Sequence, residues 1–203
     1  MPRSERRAQL LEAAQAVFVA RGYHAAAMDE IADRAGVSKP VLYQHFPGKL
    51  ELYLALLDRH CEDLEHQVRE ALARPTNGEG NKDLVKATIG AYYEFVAREG
   101  AAFRMVFESD LTSVPQVRQR LDNVEFTCAE LIADVISKDT GLDDERAMLL
   151  GVALAGMAQI TARHWLAQNG DLSRDDAALL IGALAWRGLG SFPKVGGEAT
   201  GAP

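Results

Sequence analysis

An all-α protein is what this sequence predicts, on three observations. Apolar residues recur at helical spacing through most of the 203 residues, glycine and proline interrupt them at intervals suited to helix ends, and no segment carries a convincing strand pattern. Leu10, Leu11, Ala14, Val17 and Phe18 form the first apolar stripe, which Arg21-Gly22 ends because glycine can adopt positive φ. Met28, Ile31, Ala32 and Ala35 share one face of a short second helix. Gly36-Val37 makes a tight turn, and Ser38 stands as the N-cap of a third helix running to His45. Pro40 falls in the first turn of that helix, where its missing N–H costs nothing.

Pro47-Gly48 breaks the chain again. Leu50, Tyr53, Leu54, Leu57, Cys61, Leu64 and Val68 then mark one face of a long helix, and residues 74–82 read as a loop. Further helices are expected at about 83–98, 101–109, 115–138, 143–168 and 173–189. Ser173 and Asp176 form a short version of the capping box at the start of the last one. The expected organisation is a helix-turn-helix domain over 1–49, a larger helical bundle over 50–192 and a disordered Gly- and Ala-rich tail over 193–203.

Charge is distributed unevenly. The net charge of −7 would repel phosphate, yet residues 1–50 hold seven Lys/Arg against five Asp/Glu, while residues 51–203 hold fifteen against twenty-four. Any nucleic-acid contact is therefore expected in the first quarter of the chain. Cys61 and Cys128 sit inside apolar helical patterns and read as buried thiols of a cytoplasmic protein. No apolar run reaches the roughly 18 residues of a membrane span. The polar start, Arg3 to Arg7, does not read as a secretory signal.

Two short helices joined by a glycine turn suggest a helix-turn-helix. The order Gly22-Tyr23, Met28-Asp29-Glu30-Ile31-Ala32, Ala35-Gly36-Val37-Ser38, Leu42-Tyr43-Gln44-His45-Phe46 and Lys49 closely resembles the DNA-binding domain of the TetR family, over about residues 5–55. Lys39 and Gln44 are suited to base edges, and the backbone N–H groups beside Ser38 to a phosphate. The resemblance implies backbone contacts for Tyr43 and His45, a phosphate contact for Lys49, and positions near bases for Pro40 and Val41. One feature departs from the family, which often has a threonine before the second helix. Here Ala25-Ala26-Ala27-Met28 offers no hydroxyl.

The same resemblance implies a ligand pocket within the larger bundle and a homodimer formed by the last two helices. Gly151, Ala155, Gly156 and Gly182 would allow close helix approach, within one chain or between two. Tyr92, Tyr93, Phe103, Met105, Phe107, Phe126, Met157, His164 and Trp165 are the pocket candidates, being bulky or polar-tipped groups on apolar faces. They favour an uncharged or amphipathic small molecule, such as an acyl chain or an aromatic compound. The expected partners are double-stranded operator DNA, that effector and a second copy of the chain, with no membrane. The expected action is that of a repressor released when the effector shifts the long fourth helix.

No cofactor or enzyme activity is expected. The sequence has no nucleophile elbow, no phosphate-binding glycine loop and no histidine pair at metal spacing. Glu62, Asp63, Glu65 and His66 cluster, but an exposed charged face explains them better than a metal site. A helical protein-binding adaptor would leave the grouping of Lys39, Tyr43, His45 and Lys49 unexplained.

Overall fold

The computed structural model describes residues 2–75, 80–98, 110–168 and 171–189. The short helix expected over 101–109 and the tail from 193 lie outside these residues, as do the pocket candidates Phe103, Met105 and Phe107. Among the described residues the elements are helical: α1 (Arg3–Ala25), α2 (Met28–Arg34), α3 (Lys39–His45), α4 (Lys49–Leu72), α5 (Asn81–Arg98), a 3₁₀ turn (Asp110–Ser113), α6 (Pro115–Thr140), α7 (Asp144–Ala167) and α8 (Arg174–Leu189). None of them is long and apolar enough to cross a membrane. The chain is all-α, as its periodicity requires.

Two compact units result, residues 1–62 with 99–121, and residues 63–98 with 122–203. The first unit reaches past residue 49 because the first half of α4 shares the core of α1. Tyr53 is buried, with its ring 5.6 Å from that of Phe18 and 5.3 Å from that of Tyr23. Arg59 on α4 donates to the Gln15 side chain at 2.5 Å. Arg120, at the start of α6, meets Asp58 at 2.5 Å.

Within this unit Gly22 takes φ +73° and breaks α1 three residues before its end. Gly36 takes φ +64° after α2, where the Gly36 N–H donates to Asp33 O and the Val37 N–H to Ala32 O, each at 3.0 Å. That pair of bonds is the Schellman closure, which turns the chain sharply into α3.

The second unit is built on α5, which packs along α8 and α7. Arg174 on α8 forms an ion pair with Glu94 on α5. Cys61 in the first unit and Cys128 in the second are both buried free thiols, and burial pushes the Cys128 thiol up to about 11. Ser173 Oγ accepts from the Asp176 N–H at 3.1 Å and caps α8. Asp143 caps α7 by accepting from the Arg146 N–H at 2.9 Å, a bond that holds its pKa below the usual carboxylate value.

The inward face of α7 is made of small residues: Ala147, Gly151, Ala155, Ala158 and Ala162 are all buried. A methyl group on Gly151 would overlap the Ala129 carbonyl oxygen and lie 3.1 Å from the Ala133 methyl, so this glycine sets the approach of α7 to α6. A methyl group on Gly182 would lie 3.5 Å from the Lys86 Cα on α5, an ordinary contact, whereas one on Gly156 would meet nothing within 4 Å. Of these glycines, Gly151 is the one that close packing within the chain requires. Gly151→Ala is expected to cost about 1–3 kcal/mol of stability through overpacking. Gly156→Ala should instead be neutral or gain up to about 1 kcal/mol from helix propensity. Denaturant unfolding of the two variants checks the contrast.

Candidate nucleic-acid interface and effector cavity

α3 shows why its seven residues can serve a surface. Leu42 and the following Phe46 are buried, so the helix is fixed from behind. Lys39, Pro40, Tyr43 and Gln44 are exposed, Tyr43 at 47 % despite its aromatic ring, and Val41 and His45 are half-buried. Ser38 occupies the N-cap position and its carbonyl accepts from Val41 and Leu42, but its hydroxyl makes no cap bond. The sequence leads one to expect that side chain to cap the helix. Pro40 in the first turn leaves one fewer N–H to satisfy, so the helix closes without it. Ala27 likewise leaves α2 without a side-chain cap, as the missing hydroxyl implies.

Lys39 donates to Asp29 at 2.5 Å, and this carboxylate raises the basicity of the ammonium. Both side chains are more than half exposed, so water and salt screen the pair and it yields readily to a competing anion.

Lys49, for which the resemblance implies a phosphate contact, opens α4 beside the end of α1. Its Nζ donates to the carbonyl oxygens of Tyr23 (2.8 Å), His24 (3.1 Å) and Ala26 (2.9 Å), and lies 4.6 Å from the centre of the Tyr23 ring. An ammonium has three donors, and all three are engaged. Lys49 therefore fastens the start of α4 to the end of α1.

In the second unit a cavity of about 540 Å³ is lined mainly by aliphatic side chains, among them Leu84, Val85 and Ile89 of α5, Ile132, Val135 and Ile136 of α6, and Leu150 and Leu154 of α7. Trp186 of α8 also lines it, and Asn81, Asp139 and Thr140 supply its polar part. Thr88 lines it too, with its hydroxyl spent on the Leu84 carbonyl at 2.8 Å. None of the described pocket candidates, Tyr92, Tyr93, Phe126, Met157, His164 and Trp165, lines this cavity. Choosing aromatic and polar-tipped groups on apolar faces passes over most of it because its walls are mainly Leu, Ile and Val, with Trp186 the one aromatic among them.

The candidates lie elsewhere. Tyr93, His164 and Trp165 line a second cavity of about 310 Å³, where the Trp165 indole N–H donates to Leu172 O at 2.9 Å. Tyr92 is buried and hydrogen-bonded to Cys128, and burial raises its phenol well above the usual value. Phe126 is 55 % exposed and Met157 half-buried, and neither lines either of these cavities. Among the described residues no three His, Cys, Asp or Glu side chains converge as metal ligands, and His66 instead meets Glu70 at 3.3 Å.

If Lys49 is a clamp, Lys49→Met should lower the unfolding free energy by about 1–3 kcal/mol, the usual cost of stranding part-buried polar groups. It should leave the salt dependence of DNA binding unchanged. Thermal melting and DNA titration at several salt concentrations provide the two readouts.

Comparison with known proteins agrees with this architecture. Residues 10–56 match the family model described as bacterial regulatory proteins, tetR family. The HTH-type transcriptional activator FasR of Mycolicibacterium smegmatis is 45 % identical over 193 residues, covering 95 % of this chain and 87 % of that protein. The crystal structure of a TetR-like transcriptional regulator from Rhodococcus sp. RHA1 superposes with a TM-score of 0.72 at 27 % identity, covering 95 % of this chain and all of that one. FadR from Bacillus subtilis, solved in complex with stearoyl-CoA, shares the fold at 17 % identity, with a TM-score of 0.73 over 88 % of this chain and 96 % of that one. The chain belongs to the TetR family of bacterial transcriptional regulators, proteins that bind DNA and are not enzymes.

Proposed function

We propose that two copies of this chain bind a symmetric operator and that a small, largely apolar molecule changes their hold on it. The observation that carries this reading is the outer face of α3, where Lys39, Pro40, Tyr43 and Gln44 stand exposed on a helix anchored by Leu42 and Phe46. In this reading Lys39 and Gln44 meet base edges, Pro40 and Val41 meet thymine methyl groups, and Ser38, Tyr43 and His45 hold phosphates. DNA binding then falls to the first unit, and effector binding and dimerisation to the second.

The dimer reading is supported by helices that are apolar on the wrong side for a monomer. Behind the small inward residues of α7, Leu149, Val152 and Ile160 face solvent, Leu149 at 71 %. On α8, Ala177 and Ala185 are buried while Leu179, Leu180 and Leu184 are exposed, Leu180 at 64 %. Contiguous bulky apolar residues of this kind mark an interface. A symmetric pair would set the two α3 helices about 34–36 Å apart, one turn of DNA.

The effector's chemistry follows from the larger cavity. Its aliphatic walls favour a hydrocarbon chain, and its volume is in the usual range for ligand sites of about 300–1,000 Å³. The FadR structure, with stearoyl-CoA bound, offers one precedent for such a ligand in this fold. The sequence favours repression relieved by ligand. The name of the FasR relative favours activation, so the DNA-bound state is here the one that promotes transcription. The protein then works in the cytoplasm, where its operator lies.

Two experiments test the proposal. On labelled DNA from the chain's own upstream region, Tyr43→Ala with Gln44→Ala should weaken binding by about 1–3 kcal/mol, at least tenfold, with little change in melting temperature. Equal affinity of variant and parent would contradict the interface. Ile132→Trp should fill the cavity, keep DNA binding and abolish the thermal shift and DNA response produced by long-chain acyl compounds. An unchanged response would place the effector elsewhere.

A further inference from the structure

The first unit holds more cations than α3 presents. Three meet partners within the protein: Arg21 meets Glu30 at 3.3 Å, Lys39 shares an exposed, readily exchanged pair with Asp29, and Lys49 holds three carbonyls. Arg3, Arg6 and Arg7 on the first two turns of α1 are another matter. Among the described residues no carboxylate pairs with any of them, and Arg3 and Arg7 are exposed.

Two contacts fix where these arginines stand. The Gln9 side chain donates to the Ala35 carbonyl at 2.8 Å, tying α1 to the turn that leads into α3. The Arg7 guanidinium lies 4.5 Å from the centre of the Phe46 ring, directly after the end of α3. The start of α1 is thus pinned near both ends of the recognition helix. Arg6 is held by the Gln9 side chain at 2.8 Å, with further N–H donors to spare. Arg3 lies one turn before Arg7 on the same side of the helix.

We propose that Arg3, Arg6 and Arg7 form a second DNA-contact element that grips the phosphate backbone beside the groove entered by α3. The inference rests on α3 being the DNA-reading helix. Guanidinium groups suit phosphate oxygens, and stacking on Phe46 orders Arg7 without using its N–H donors. Such contacts position the protein and carry no sequence information. They also place positive charge where the rest of the chain is acidic.

The test compares wild type, Tyr43→Ala, the pair Arg3→Gln with Arg6→Gln, and the pair Arg3→Lys with Arg6→Lys on one wild-type operator. Arg7 is kept so that its packing on Phe46 stays intact, and thermal melting confirms folding. Removing one cation from a phosphate should reduce the slope of log affinity against log salt by about 0.9, so the Gln pair should flatten it by up to about 2 per protomer. Its affinity at moderate salt should fall at least tenfold while the preferred sequence stays the same. The Lys pair should recover most of the slope. A Gln pair with the slope and affinity of wild type overturns the proposal while wild-type binding and the Tyr43→Ala loss leave α3 in place. If wild type itself fails to bind, both readings fall.

Discussion

One ammonium group ties the end of α1 to the start of α4. Gly22 breaks α1 at positive φ, and the residues after it leave carbonyl oxygens without helical partners. Lys49 supplies a donor to three of them, and its ammonium nitrogen lies over the Tyr23 ring. Because Lys49 is also the first residue of α4, the same bonds fix the direction in which α4 departs. Tyr53, one turn further on, then completes the ring cluster with Phe18 and Tyr23. The first half of α4 is thereby part of the first unit.

The second unit solves a different packing problem. Small residues on the inner face of α7 bring it close to α6, with Gly151 at the tightest point. The bulky residues that would ordinarily fill a core are displaced outward, onto faces of α7 and α8 that the isolated chain leaves in water. The proposed pairing of two copies would bury those residues and give the arrangement an energetic reason. An aliphatic-walled cavity among α5, α6 and α7 lies within the same unit, so the proposed effector binding and subunit pairing would draw on shared helices. Coupling between them needs no separate device.

The helices and the helix-turn-helix are legible in the sequence because each depends on local signals. Gly22, Gly36 and Pro40 fix chain breaks by backbone conformation, and Leu42 and Phe46 fix the inner side of α3 by spacing. The roles that local signals miss depend on distant partners. Lys49 looks like a free cation until the end of α1 folds back onto it. Arg7 gains meaning only from Phe46, 39 positions later. The larger cavity is hidden because Leu, Ile and Val carry the same sequence signal whether they pack against one another or face a void. Gly151 stands out in the sequence, but helical periodicity does not say whether it faces α6 or a second subunit.

Selection of binding sites from random double-stranded DNA by the full chain tests the account most directly. It predicts enrichment of an inverted repeat whose half-sites are centred about 10–10.5 base pairs, or a multiple of that, apart. A single asymmetric site, or no enrichment at all, would contradict a dimer that reads DNA through two copies of α3.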